Sequence, residues 1–125
     1  MISFINLSKE KPYTIFKEKY DKAIKANQQT VEAIAISSYC KNNNEVHSRF
    51  VNLKFIQNNE FIFFSNYHSP KAKHFELHSQ ITALFYWNCT NTQIRIKAKI
   101  KKTTNDYNQK YFFDRSEEKN ALAIS

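Results

Sequence analysis

Not one of the 125 residues is glycine. Glycine takes a positive φ without steric cost, and asparagine is among the few other residues that tolerate that region. The chain carries fourteen asparagines, so tight turns are expected where they cluster, at Asn42-Asn43-Asn44 and at Asn58-Asn59. The same absence removes a class of function. Neither the Walker loop nor the dinucleotide fingerprint can be spelled without glycine, so any phosphate must be gripped by side chains and a helix start.

Between the turns the hydrophobic pattern changes period. Phe16, Tyr20, Ala23 and Ile24 recur at helical spacing among lysines and acids, which predicts an amphipathic helix over 13–27. Residues 1–11, ending before Pro12, read as a loose leader. Strands are predicted over 30–39, 45–56 and 60–66, the last two joined as a hairpin in which asparagine stands where glycine usually does. Ser69-Pro70 has the form of an N-cap followed by proline at the first helical position, opening a short helix to about His78. Gln80 to Trp87 is largely apolar on both sides, which places it mid-sheet. From Thr92 to Lys101, Ile94, Ile96, Ala98 and Ile100 alternate with Gln93, Arg95, Lys97 and Lys99, giving one buried face and one wet, basic face. A closing helix is predicted over 103–120. This order predicts a mainly β fold, a single domain over 1–125 in which a small antiparallel barrel carries helices on its outside.

A formal net charge of +8 points to an anionic partner, although charge alone does not separate nucleic acid, phosphorylated metabolite and acidic membrane. No apolar run approaches the roughly 20 residues of a membrane span and no signal-peptide pattern opens the chain, so the cytoplasm is the expected compartment. Single-stranded nucleic acid calls for aromatics interleaved with cations on an exposed strand face. The wet face of 92–101 has the cations alone, which speaks against that partner. His74 and His78 stand four apart on the predicted short helix, but no third ligand at suitable spacing joins them, and no metal is expected. Cys40 and Cys89 lack zinc spacing and read as free thiols.

What remains is a set of anion-holding residues. Arg49 and Lys54 lie five apart on one predicted strand, about 17 Å from each other and on opposite faces. They suit two separated points of an extended anion, with Ser69 and Lys71 at the helix start adding a third. A nucleotide-sized ligand fits such spacing. These residues sit in R-F-V-N-L-K (49–54) and F-I-F-F-S-N-Y-H-S-P-K-A (61–72). Two further blocks follow, I-T-A-L-F-Y-W-N-C-T-N-T-Q-I-R-I-K-A-K-I (81–100) and Y-F-F-D-R (111–115). In order and spacing the four blocks resemble the pyridoxamine 5'-phosphate oxidase family of flavin enzymes, over roughly residues 13 to 125.

The resemblance implies an antiparallel split β-barrel that binds FMN at the interface of a homodimer. It assigns Arg49 and Lys71 to the FMN phosphate with Ser69 beside them. Phe50, Val51, Phe64 and Ser65 fall at cofactor-contacting positions, and Gln93 is assigned to the flavin ring. Lys54 is placed where flavin and substrate meet. Tyr111 and Arg115, four apart on the expected closing helix, are assigned to the phosphate of the substrate, a phosphorylated B6 vitamer. The implied reaction is oxidation of pyridoxamine or pyridoxine 5'-phosphate to pyridoxal 5'-phosphate, by hydride transfer to the flavin and reoxidation by oxygen. Three departures accompany the match. Pro70 stands where the family usually has a second basic residue, and Lys119 stands where it has a serine. The family's C-terminal segment, with further flavin contacts and an arginine-histidine pair, has no counterpart up to Ser125. The alternative is a non-catalytic protein that binds FMN or another phosphate ligand.

Overall fold

The computed structural model describes residues 1–64, 79–102, 110–115 and 122–124. In chain order its elements are β1 (Ser3–Ile5), α1 (Lys11–Lys25), β2 (Ala33–Cys40), β3 (Glu45–Gln57) and β4 (Glu60–Phe64). They are followed by β5 (Gln80–Trp87), a single 3-10 turn (Asn88–Thr90), β6 (Thr92–Lys102), β7 (Lys110–Arg115) and β8 (Leu122–Ile124). Six described residues have φ in the left-handed region: Asn6, Asn27, Thr30, Asn44, Asn58 and Asn91. Five of the six are asparagine, the substitution that a glycine-free chain calls for. Asn44 leads into β3, and Asn58 turns β3 into β4.

The eight described strands form one sheet, seven of them in the order β1-β3-β2-β5-β6-β7-β4, and β4 pairs again with β3. The path therefore returns to its start and the sheet curls into a barrel, leaving few free edges. β1 lies parallel to β3, and β8 pairs with β6. β5 sits between β2 and β6, the mid-sheet place that its two apolar faces predict. Alternation decides which side is filled. Ile81, Ala83, Phe85 and Trp87 of β5 join Ile94, Ile96, Ala98 and Ile100 of β6 in the core.

The helix covers that core. Tyr13, Phe16, Tyr20 and Ala23 are its buried residues, at spacings of three and four, so they form one stripe. Phe16 is fully buried, its ring centroid 5.6 Å from that of Phe61, 5.3 Å from Phe85 and 5.7 Å from Trp87. Hiding a side chain of that size from water stabilises the fold by about 1.5–3 kcal/mol. The polar tips find partners as burial demands. The Trp87 indole N–H donates to the Val31 carbonyl at 2.9 Å, and Tyr20 Oη accepts from the Ile2 N–H at 2.9 Å.

Two expectations are corrected. Residues 1–11 are not a loose leader: β1 pairs with Phe55, Ile56 and Gln57 of β3, and Ile2 is buried. The part of β3 that runs past the end of β2 offers an edge for this short strand. The closing helix predicted over 103–120 is contradicted where that stretch is described. Residues 110–115 form β7, which bridges β4 on one side and β6 on the other, so pairing with two waiting edges overrides the local pattern. Finally, β3 does not alternate throughout. Its pairing with β4 shifts register between Leu53 and Phe55, and Leu53 and Ile56, three apart, are both fully buried. A bulge at Lys54 supplies the extra residue between them, and Lys54, next to buried Leu53, stays exposed.

Candidate functional site

The site residues assigned by resemblance radiate from β3. Directly opposed residues of an antiparallel pair share a face, so the register fixes where each one lies. Arg49 pairs with Ile36 and Val51 with Ile34, and both isoleucines are fully buried. Arg49 and Val51 therefore occupy the face that carries the core. Val51 packs partly against that core, whereas Arg49 is exposed. Phe50 pairs with Ala35 on the other face and stands 76% exposed. Gln93, at the start of β6, is also exposed and pairs with Tyr86 of β5. It lies on the same outer face as Phe50. Within one protomer, then, the expected cofactor residues divide between the two sides of the sheet: Arg49 and Val51 on one, Phe50 and Gln93 on the other.

Lys54 is exposed at the bulge. Its neighbour Leu53 donates its N–H to the Glu32 carbonyl at 2.9 Å, which brings Glu32 alongside. The Glu32 carboxyl is held below the usual carboxylate range, first by a hydrogen bond from its own backbone, against the opposing effect of desolvation. The N-terminal ammonium, 3.2 Å away, and the charge of Lys54 add to the lowering. An ionised Glu32 in turn offsets part of the attraction of Lys54 for an anion. Sequence reasoning passed over Glu32, because the residue carries no motif and becomes relevant only through β2–β3 pairing.

Tyr111 and Arg115 both lie on β7, opposite Lys102 and Ala98 of β6. Along a strand the two positions stand about 13 Å apart rather than within one helical turn. Phe64 ends β4. Ser65, Ser69, Pro70, Lys71, His74, His78 and Lys119, together with the expected helix over 69–78, lie outside the described residues. Among the described residues no three His, Cys, Asp or Glu side chains gather where they could hold a metal ion, and no helix is long and apolar enough to cross a membrane.

Comparison with known proteins supplies the deciding observation. The chain is 33% identical over 104 residues to the pyridoxine/pyridoxamine 5'-phosphate oxidase of Colwellia psychrerythraea strain 34H, matching 83% of this chain and 48% of that protein. The chain belongs to the pyridoxamine 5'-phosphate oxidase-like family. The chloroplastic pyridoxine/pyridoxamine 5'-phosphate oxidase 1 of Arabidopsis thaliana is 31% identical over 104 residues, 83% of this chain and 19% of that one. The chain spans about half the length of the bacterial relatives of this family that it matches. No protein-family model matches it. In three dimensions it resembles PhzG from Burkholderia lata 383, with a TM-score of 0.69 at 23% identity over 74% of this chain and 45% of that one. It likewise resembles a pyridoxamine 5'-phosphate oxidase-related, FMN binding protein from Nostoc punctiforme PCC 73102, with a TM-score of 0.64 at 13% identity over 74% of this chain and 50% of that one. At such identities the likeness is one of fold, and the fold of this oxidase-like chain is the antiparallel split β-barrel.

Proposed function

We propose that this chain binds FMN as a homodimer and oxidises pyridoxamine or pyridoxine 5'-phosphate to pyridoxal 5'-phosphate. The observation that carries the reading is the 33% identity, across 83% of the chain, to a relative named for that oxidation. The donor set suits the cofactor. Arg49 and Lys54 are exposed cations on one strand and Gln93 is an exposed amide at the start of another, which matches a ligand with an anionic tail and a hydrogen-bonding ring. Bound flavin would supply the hydride acceptor, the part of the chemistry that side chains lack. The chain's own contribution is to seat and orient: Arg49 at the phosphate, Gln93 at the ring, Lys54 toward the substrate. Because Arg49 and Gln93 occupy opposite faces of one sheet, a single ligand meets both most directly when each comes from a different protomer. That arrangement favours a site completed by a second copy.

A non-catalytic FMN-binding protein is the second reading, favoured by the wide spacing of Tyr111 and Arg115 along β7. Titration of FMN, followed by quenching of its fluorescence, tests the binding. Arg49→Ala removes two charge-assisted hydrogen bonds worth at least about 1.5 kcal/mol each, so affinity should fall on the order of 100-fold. Gln93→Ala should also weaken binding. Mixed dimers of the two variants should recover one intact site in each heterodimer if the site is shared, and none if each protomer holds its own. Unchanged affinity in Arg49→Ala would remove the phosphate role. Peroxide release on adding pyridoxamine 5'-phosphate then separates oxidase from binder.

A further inference from the structure

On the core-carrying face of β3, opposite to the face of Phe50 and Gln93, the surface changes character toward the start of the strand. Val51, Arg49, His47 and Glu45 pair with Ile34, Ile36, Ser38 and Cys40 of β2, and all four partners are buried, so these β3 residues share that face. Val51 packs partly against the core. Beyond it the row turns polar, with a guanidinium, an imidazole and a carboxylate in succession. Of residues 45–50 His47 alone is not exposed: it is half-buried, recessed between exposed Arg49 and exposed Glu45. Ser38, directly opposite it, pairs on its other side with buried Ile81 of β5. The recess is therefore floored by a hydroxyl and by isoleucine side chains, and Arg49 stands at its rim.

We propose that His47 is a further holder of the anion assigned to Arg49, its imidazole donating an N–H to the FMN phosphate. The inference rests on the reading of Arg49 as a phosphate ligand and adds a residue that the family resemblance does not assign. Side chains two residues apart on one face of a strand start about 6.6–6.8 Å from each other, so the longer guanidinium arm and the shorter ring can converge on one group above the recess. A phosphate monoester offers three terminal oxygens, of which a bidentate guanidinium takes two. An imidazole has at least one N–H to donate whether it is neutral or charged, so the third oxygen finds a donor in either state. Recessed from water, that donor also makes a stronger bond to an anion than an exposed one would. Glu45, whose charge opposes an anion, starts about 13 Å from Arg49 on the far side of His47. It is exposed, and that distance exceeds the roughly 8–10 Å screening length of physiological salt.

Parallel fluorescence titrations with FMN and with riboflavin, the same ring system without the phosphate, test the proposal on the full chain. His47→Phe, which keeps a ring and removes both nitrogens, should lower FMN affinity about tenfold, the loss of one hydrogen bond to a charged group. Riboflavin affinity should not change. His47→Gln, whose amide can donate, should recover most of the FMN affinity, and circular dichroism checks the fold of each variant. In the parent, the ring-proton resonances of His47 should move on adding FMN and stay in place on adding riboflavin, a measurement that needs no substitution. The proposal is overturned if His47→Phe loses FMN and riboflavin affinity equally, which would mark a structural residue, or if the His47 resonances respond alike to both ligands. If Arg49→Ala weakens FMN binding and His47→Phe does not, the proposal fails while the phosphate role of Arg49 stands. If neither variant weakens it, or the parent binds no FMN, the reading of Arg49 falls and the proposal falls with it.

Discussion

Thr30 is the one described residue outside asparagine that takes a positive φ, at 47°. The left-handed region brings Cβ against the following carbonyl and costs an L-residue roughly 1–2 kcal/mol, while asparagine tolerates it. Threonine, branched at Cβ, is poorly suited to it. What holds Thr30 there is the turn into β2, in which its carbonyl accepts the Ala33 N–H at 3.0 Å. Its hydroxyl contributes an exposed hydrogen bond to the Gln29 carbonyl, one that water replaces at little cost. Thr30→Asn should therefore stabilise the protein by about 1 kcal/mol. At about 2.1 cal/mol/K per residue, the unfolding entropy of a chain this long turns that gain into a rise of about 4 °C in Tm. Thr30→Val, which keeps the branch and loses the hydroxyl, serves as the control and should be no more stable than the parent. Thermal unfolding followed by far-ultraviolet circular dichroism measures all three. If Thr30→Asn melts no higher than Thr30→Val, the strain argument fails, and with it the reason given for the placing of asparagine throughout this chain.

Two further outcomes follow from the core and from charge. Phe16→Ala, in a fully buried position against Phe61, Phe85 and Trp87, should cost about 3–5 kcal/mol. That is a Tm loss of more than 10 °C by the same conversion, and a loss of only a few degrees would mean that the helix does not seal the barrel. Glu32 has a folded pKa below its ordinary 4.5, so its contribution to stability is present above that pH and is lost as pH falls through the folded value. Urea unfolding between about pH 3 and pH 7 should show the parent losing stability faster than Glu32→Gln below pH 4.5; parallel curves would dismiss the assigned environment.

The strands that alternate were legible and the ones that depend on neighbours were not. β5 has the bounds that its sequence predicts, and β6 differs by one residue, because a full run of inward isoleucine and alanine against outward cations has only one extended arrangement. The helix was legible from the spacing of Phe16, Tyr20 and Ala23, and the turns from asparagine. β1, three residues long, carries no period of its own and exists because β3 outruns β2. β7 was misassigned for a related reason: Tyr111 to Arg115 reads as either element until β4 and β6 are seen to need a partner between them. For the candidate site, the sequence offered Arg49 and Gln93 as expected contacts and put Gln93 on the wet face of its strand, but the face of Arg49 follows only from register with β2.

The bulge at Lys54 joins fold to site. β3 pairs with β2 through Asn52 and with β4 from Leu53 onward, so the strand must bend as it passes from one neighbour to the other. An extra residue in one strand of an antiparallel pair bends that strand and increases its twist, which is what closing the sheet calls for. The shift falls between Leu53 and Phe55, so that Leu53 and Ile56 both turn to the core and Lys54 stays exposed. With strict alternation, Ile56 would have left the core or Leu53 would have done so. Lys54, the cation that the family resemblance places where flavin and substrate meet, is the exposed residue at that irregularity. Barrel closure and the placing of Lys54 therefore meet at one point of β3.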